Sequence, residues 1–379
     1  MERFALSRMK EWKENENRKP LIIRGARQVG KTWIMKTFGQ QYFEKTAYVN
    51  FDNNARMKQV FEGDLDIERL VLAISAETGV SIEAENTLII FDEVQEVPKA
   101  LTSLKYFYEN APQYAIVAAG SLLGVALHQG TSFPVGKVDF LDLYPLNFRE
   151  FLCAMGEKQF VSMLDSCDTQ MVTVFKTKYI ERLREYYFVG GMPEVVKDFS
   201  EKKDYNRVRA IQKNLINYYQ QDFSKHAEIK LVPRLNLVWN SIPMQLAKEN
   251  KKYIYGQVRE GSRAKDFELA IQWLLDCGLI HKVQRIQKPD LPLKAYIDFD
   301  AFKLFLVDIG LLIAMTDLDA KVIIEGNKIF TEFKGSLTEQ YILQQLISDV
   351  GVIPYYYSTQ NSKGEIDFLV QGKTSVIPI

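Results

Sequence analysis

Gly25-Ala26-Arg27-Gln28-Val29-Gly30-Lys31-Thr32 has the residue types and spacing of a phosphate-binding loop: two glycines with four residues between them, then Lys and Thr. Glycines let backbone N–H groups curl around an anion without a Cβ in the way. A helix starting at the loop's end adds partial positive charge. Lys31 can then reach the β- and γ-phosphates of a nucleotide, and Thr32 can offer its hydroxyl to Mg²⁺. Thr87-Leu88-Ile89-Ile90-Phe91-Asp92-Glu93, an apolar run ending in two carboxylates, lies about sixty residues further on, where a second metal-binding segment is needed. Asp92 is suited to hold Mg²⁺ through water, and Glu93 to polarise an attacking water. Ser121 follows a third apolar run, Ala115-Ile116-Val117-Ala118-Ala119, and is a candidate sensor of the γ-phosphate; Gly120-Ser121 reads equally as an ordinary turn.

These side chains need a frame. Leu21-Ile22-Ile23 reads as a short buried strand feeding the loop, and Thr32 to Phe38 as the helix leaving it. Residues 3–14 pattern as an amphipathic helix, Thr46 to Asn50 as a strand, 54–60 and 66–78 as helices, and Val138 to Leu143 as one more strand. Continuous apolar runs fit strands buried on both faces, so the alternation predicts a parallel sheet between helical layers. Carboxylates at the C-terminal end of such a strand sit where open α/β sheets bind ligands. Pro145 closes this unit, and Asn147 with Glu150 forms a capping-box signature for the next helix.

Composition narrows the partners. Lys+Arg and Asp+Glu are both 48, so any nucleic-acid contact must be a local patch rather than a global field. The three cysteines, Cys153, Cys167 and Cys277, show neither metal spacing nor a disulfide framework, which points to a reducing, cytoplasmic setting. The three histidines are scattered, which disfavours histidine-based metal or nucleophile chemistry. The N-terminus lacks the apolar core of a signal peptide, and no apolar run is long enough to span a membrane, so no membrane partner is expected.

Downstream, residues 156–230 pattern as helical, with a sharp break at Val189-Gly190-Gly191-Met192-Pro193. From 232 to 320 the succession suggests a winged helix: a helix over 232–248, then Tyr253-Ile254-Tyr255, a helix over 264–277, then Leu279 to Val283 and Ala295 to Asp298 as the wing hairpin. Lys282, Arg285, Lys288 and Lys294 fall in the wing, with Arg259, Arg263 and Lys265 before the second helix. They could contact DNA locally; Glu260, Asp266, Glu268 and Asp290 among them fit a solvated or packing face as well. After 330 come a helix carrying Glu339 and the strand-like Tyr355 to Ser358, Glu365 to Val370 and Val376 to Ile379.

In order, these motifs resemble a family of prokaryotic AAA+ ATPases that carry a C-terminal domain of formerly unknown function. Tyr144-Pro145-Leu146-Asn147-Phe148-Arg149-Glu150, Gly190-Gly191-Met192-Pro193-Glu194, Trp273 to Ile280 and Lys303 to Leu312 extend the likeness over nearly the whole chain. The resemblance implies an α/β, P-loop NTPase (AAA+) parallel sheet with helices on both faces over 1–155, a helical and winged-helix-like domain over 156–325, and a truncated, α/β restriction-endonuclease-like domain over 326–379. It implies ATP and Mg²⁺ as cofactors, with residues 25–32 around the phosphates, Lys31, Glu93 and Ser121 catalytic, and Thr32 and Asp92 on the metal. Where many members have Gly-Arg, this chain has Gly136-Lys137, which keeps the charge and loses the guanidinium fork. In the tail, Glu339 and Asp367 would take two places of a Mg²⁺-dependent nuclease site, and the Glu-x-Lys of such sites would fall after Ile379.

Three functions follow as expectations. The first is an ATPase coupling hydrolysis to a C-terminal module that contacts DNA or a partner protein. The second is a slow nucleotide switch controlling homo-oligomeric or partner assembly. The third is an ATPase-clamped nuclease. No Asn-Lys-x-Asp guanine-reading motif occurs, which favours ATP.

Overall fold

A computed structural model describes residues 1–120, 133–248, 252–324, 331–359 and 364–379. The chain divides into two compact units, Arg3–Tyr144 and Pro145–Ile379, the second also taking Met1 and Glu2.

The first unit is built on five strands: β1 (Leu21–Arg24), β2 (Lys45–Asn50), β3 (Thr87–Asp92), β4 (Ala115–Ala119) and β5 (Asp139–Asp142). They lie in the order β2-β3-β4-β1-β5, every neighbour pair parallel. Every residue of β3 and β4 is buried, which is why these runs show no polar alternation. Ile22, Ile89, Phe91, Ile116 and Ala118 share one face with Leu70, Ile74, Leu101 and Leu104 from helices Ile67–Thr78 and Pro98–Asn110. Leu88, Ile90 and Val117 alternate with them and are equally buried, so both faces are covered. Phe51, Phe61 and Phe91 pack edge-to-face, with centroids 5.4–5.6 Å apart. Removing the Phe91 ring should cost about 3–5 kcal/mol.

Connections are capped as the sequence asks. Asn54 and Asp66 accept from the backbone N–H groups of Met57 and Arg69 at the starts of helices Ala55–Glu62 and Ile67–Thr78.

The second unit holds helices from Phe148–Ala154 to Ala264–Asp276, then a mixed sheet. Its strands are β6 (Ile280–Ile286), β7 (Ile297–Leu306), β8 (Tyr355–Ser358), β9 (Glu365–Gln371) and β10 (Val376–Pro378), ordered β10-β9-β8-β6-β7. Only β6 and β8 pair in parallel; the rest are antiparallel. The hairpin expected as a wing and the strands expected in a separate tail are thus one sheet, which crosses the boundary anticipated near residue 326. Neither set alone could cover its faces. Tyr253-Ile254-Tyr255 makes one backbone bond to β7, Tyr253 N–H to Phe302 O at 2.8 Å, and leads into a short helix, Tyr255–Val258. The Tyr-Ile-Tyr alternation serves packing: the Tyr253 ring stacks on Phe302 at 5.6 Å.

The phrases that set the C-terminal half apart meet around one carboxylate. Asp308 is fully buried. Its Oδ2 accepts from Gly191 N (2.6 Å) and Gln344 Nε2 (3.2 Å), and its Oδ1 from Leu311 N (3.1 Å). A Cβ on Gly190 would sit 2.2 Å from Asp308 Oδ1, so only glycine lets the chain pass here. Leu146 N donates to Gly191 O (2.7 Å), and Tyr186 Oη donates to Leu146 O (2.6 Å). The capping box forms as its spacing predicts: Asn147 Oδ1 accepts from Glu150 N, and Glu150 Oε2 from Asn147 N.

Candidate nucleotide-binding site

β1 ends at Arg24, and the loop over residues 25–30 turns into helix Lys31–Tyr42. Gly25 has φ +144° and passes Leu143 so closely that a Cβ would lie 2.1 Å from its carbonyl oxygen. Gly30 has φ +95°, immediately before the helix. Between them Ala26 and Val29 are buried, Arg27 is partly exposed, and Gln28 is exposed with φ +66°. Arg3, 5% exposed, ties the loop down from outside it. Its guanidinium donates to Val29 O (3.1 Å) and Tyr144 O (2.6 Å). No motif marks Arg3, because its partners are backbone carbonyls far along the chain.

Lys31 Nζ donates to Gly25 O (2.9 Å) and Ala26 O (2.8 Å), folding back over its own loop. These partners are neutral, so an anion in the cradle competes well for the ammonium. Thr32 Oγ1 donates to Asp92 Oδ2 at 2.7 Å, bringing together two residues from separate motifs. Asp92 is 3% exposed at the end of β3, and its Oδ1 accepts from Glu93 N at 3.1 Å. Tyr48 of β2 was not anticipated. Its phenol also donates to Asp92 Oδ2, at 2.9 Å. Burial, then the charge of Asp92, holds the phenol pKa above its ordinary value, so it stays a donor. Lys36 Nζ lies 3.8 Å from the centroid of the same ring.

Glu93 has φ +51°, a conformation uncommon for a non-glycine residue and costly enough to mark a constrained site. Gln95 Nε2 donates to its Oε2 at 2.7 Å. β4 lies between β1 and β3 and runs out at Ala119, beside the two motif strands, as a sensor strand must. Ser121 itself lies outside the described residues.

The cradle, the ammonium above it and the hydroxyl–carboxylate pair beside it fit a nucleotide triphosphate and one divalent cation. Residues 17–152 match an AAA domain. This N-terminal part of the chain is an AAA domain. Behind the AAA+ domain, residues 180–322 and 334–379 match two domains of unknown function, DUF8612 and DUF4143. Among solved structures, a Walker-type ATPase of Pyrococcus abyssi is 15% identical, with a TM-score of 0.51 over 83% of this chain and 95% of that one. At that identity the likeness shows the fold. Aeropyrum pernix ORC1 in complex with DNA (13% identical, TM-score 0.29, 82% of this chain and 91% of that one) and Cdc6p from Pyrobaculum aerophilum (10%, 0.29, 85% and 93%) also match, at scores too low to carry an argument. A search of the curated proteins found no match.

Outside the AAA+ domain the anticipated cations have mixed fates. Arg285 is engaged by Asp298 (2.5 Å) and Lys288 by Asp290 (2.7 Å), while Lys282 lies over the Phe302 ring at 4.3 Å. Glu339 and Asp367 do come together, around Lys303. Within the AAA domain, Lys137 pairs with Glu109 at 3.0 Å. Among the described residues no group of three or more His, Cys, Asp or Glu is placed to hold a metal, and no helix is long and apolar enough to cross a membrane.

Proposed function

We propose that the AAA+ domain binds ATP with Mg²⁺ and hydrolyses it, and that the second unit couples this cycle to a DNA or protein partner. The observation that carries the reading is the 2.7 Å bond from Thr32 to Asp92, which sets a hydroxyl and a carboxylate side by side next to the loop, the pair that Mg²⁺ beside a bound phosphate would use. Lys31 and the backbone of residues 25–30 would hold the β- and γ-phosphates, and Thr32 and Asp92 the Mg²⁺. The cation would neutralise charge on the transferring phosphoryl group. Glu93 would orient the attacking water and accept its proton. Ser121 would touch the γ-phosphate.

Steady-state hydrolysis on wild type and Glu93→Gln tests this. The variant should bind ATP as wild type does and turn it over about 10²–10⁴-fold more slowly. Full turnover in Glu93→Gln would end the assignment.

For the coupled module, the succession of helices Val232–Leu246, Tyr255–Val258 and Ala264–Asp276 and the β6–β7 hairpin supports a winged-helix reading. With two wing cations engaged by carboxylates, a phosphate backbone would be met by the helical side. There Arg234 and Arg259 line a cleft of about 290 Å³ with Ser262, Glu260 and Asp266, at the start of helix Ala264–Asp276. Duplex DNA should raise turnover in wild type, and Arg234→Ala/Arg259→Ala should abolish that rise. DNA stimulation that survives the double change would place the contact elsewhere.

A slow-switch reading has its own support: Glu93 is held by Gln95, and Lys137, at the place of an arginine in relatives, is held by Glu109. Tight ATP binding, negligible turnover and a concentration-dependent rise in mass on adding ATP would favour it over the coupled motor.

A further inference from the structure

Lys303 is the most deeply buried lysine among the described residues. It sits in the middle of β7 and is 0% exposed. Its ammonium lies 2.8 Å from Glu365 Oε1, 3.2 Å from Glu339 Oε2 and 3.9 Å from Asp367 Oδ1. On a further side it lies 4.8 Å from the centroid of the Tyr356 ring. The carboxylates come from helix Thr331–Gln345 and from β9, so three elements converge on one nitrogen. A buried ammonium is tolerated only when charge and hydrogen bonds compensate its lost hydration. Three carboxylates supply more negative charge than one ammonium needs.

That surplus shapes the inference. Three carboxylates around one point are what a divalent cation gathers, and here a tethered ammonium stands at that point. We propose that Lys303 is a built-in counter-ion in a carboxylate site that would otherwise take a divalent cation such as Mg²⁺ or Mn²⁺. The ammonium fills the space a cation would need and turns two of its ligands inward. Asp367 and Glu365 remain 52% and 37% exposed, so the cluster presents residual negative charge to solvent. That outer charge repels a phosphate backbone, while the ammonium inside holds this part of the sheet together in place of a metal. The inference is independent of the nucleotide site and of how ATP is used.

The test is Mn²⁺ binding, followed by electron paramagnetic resonance of the free ion, on the full chain without nucleotide. Wild type should show no stoichiometric Mn²⁺ dependent on Asp367. Lys303→Met, which keeps the length and loses the charge, should gain one Mn²⁺ per chain and a thermal midpoint that rises saturably with Mn²⁺. Both gains should vanish in Lys303→Met/Glu339→Gln/Asp367→Asn. Wild-type protein that binds Mn²⁺ and loses it with Asp367→Asn would overturn the proposal, as would a folded Lys303→Met that gains nothing. If Lys303→Met fails to fold in either condition, the charge-compensated Lys303→Met/Glu339→Gln variant decides. Its recovery of the fold supports the counter-ion role, and its failure overturns it.

Discussion

Two lysines, one in each unit, are nearly as buried as each other and do opposite things. Lys31 is 8% exposed and bonds two neutral carbonyls of its own loop. Lys303 is 0% exposed and bonds carboxylates from two other elements. A neutral carbonyl is a weak partner for an ammonium, and a phosphate displaces it with a net gain. A buried carboxylate is a strong partner, and nothing from solvent replaces it without exposing a charge. Burial alone therefore does not separate a functional lysine from a structural one; the charge of its present partners does.

The contrast can be broken by exchanging effects. Lys303→Met should destabilise the second unit by about 3 kcal/mol, because it strands the buried Glu339 carboxylate, while leaving ATP affinity unchanged. Chemical denaturation followed unit by unit reads this; a loss under about 1 kcal/mol would place Lys303 with the replaceable charges. Lys31→Ala should do the reverse. ATP affinity should fall about 100-fold, roughly 2.7 kcal/mol, with the denaturation midpoint nearly unmoved. Nucleotide titration followed by the fluorescence of Trp33, 43% exposed beside the loop, would show it.

Asp308 sharpens the comparison from the acidic side. Burial raises its pKa from the ordinary carboxylate range to about 6, against the pull of its backbone donors. Between the unfolded and folded values the native state binds the proton more tightly, so this group's contribution to stability falls as pH rises toward 6 and is fully lost above it. The second unit should thus be more stable near pH 5 than near pH 7, by about 1–1.5 kcal/mol from this residue. Asp308→Asn, measured by denaturation at both pH values, should flatten that slope. An unchanged slope would assign it to other carboxylates.

The smallest effect expected is at Tyr48. Tyr48→Phe removes one of two hydroxyls on Asp92 Oδ2 and should cost about 0.5–1.5 kcal/mol. The loss should appear in the Mg²⁺ dependence of nucleotide binding and spare binding without Mg²⁺. Equal loss in both conditions would make Tyr48 a packing residue only.

The first unit was legible because its signals are local. A glycine-rich turn, a lysine and a threonine specify their own backbone, and buried parallel strands advertise themselves as unbroken apolar runs. The second unit was legible in its helices and less so in its sheet. β7 runs from Ile297 to Leu306, with its last six residues all buried, yet only its first residues were anticipated. A charged residue in the middle of that run masks the strand. The Gly190-Gly191 break and the Asp308 phrase read as separate signatures until folding placed one carboxylate against both.

The sequence by itself determined the nucleotide loop, the strand ending in Asp92 and Glu93, the helix caps and the parallel first sheet, because each depends on neighbours a few residues away or on a continuous apolar run. Tertiary structure alone decided which charges are available. Thr32 meets Asp92 sixty positions on, Lys303 meets Glu339 thirty-six positions on, and Asp308 meets Gly191 across 117. Whether a lysine is a ligand group or a counter-ion depends on which carboxylate shares its low-dielectric surroundings. That is a property of distance through space, and no spacing along the chain encodes it.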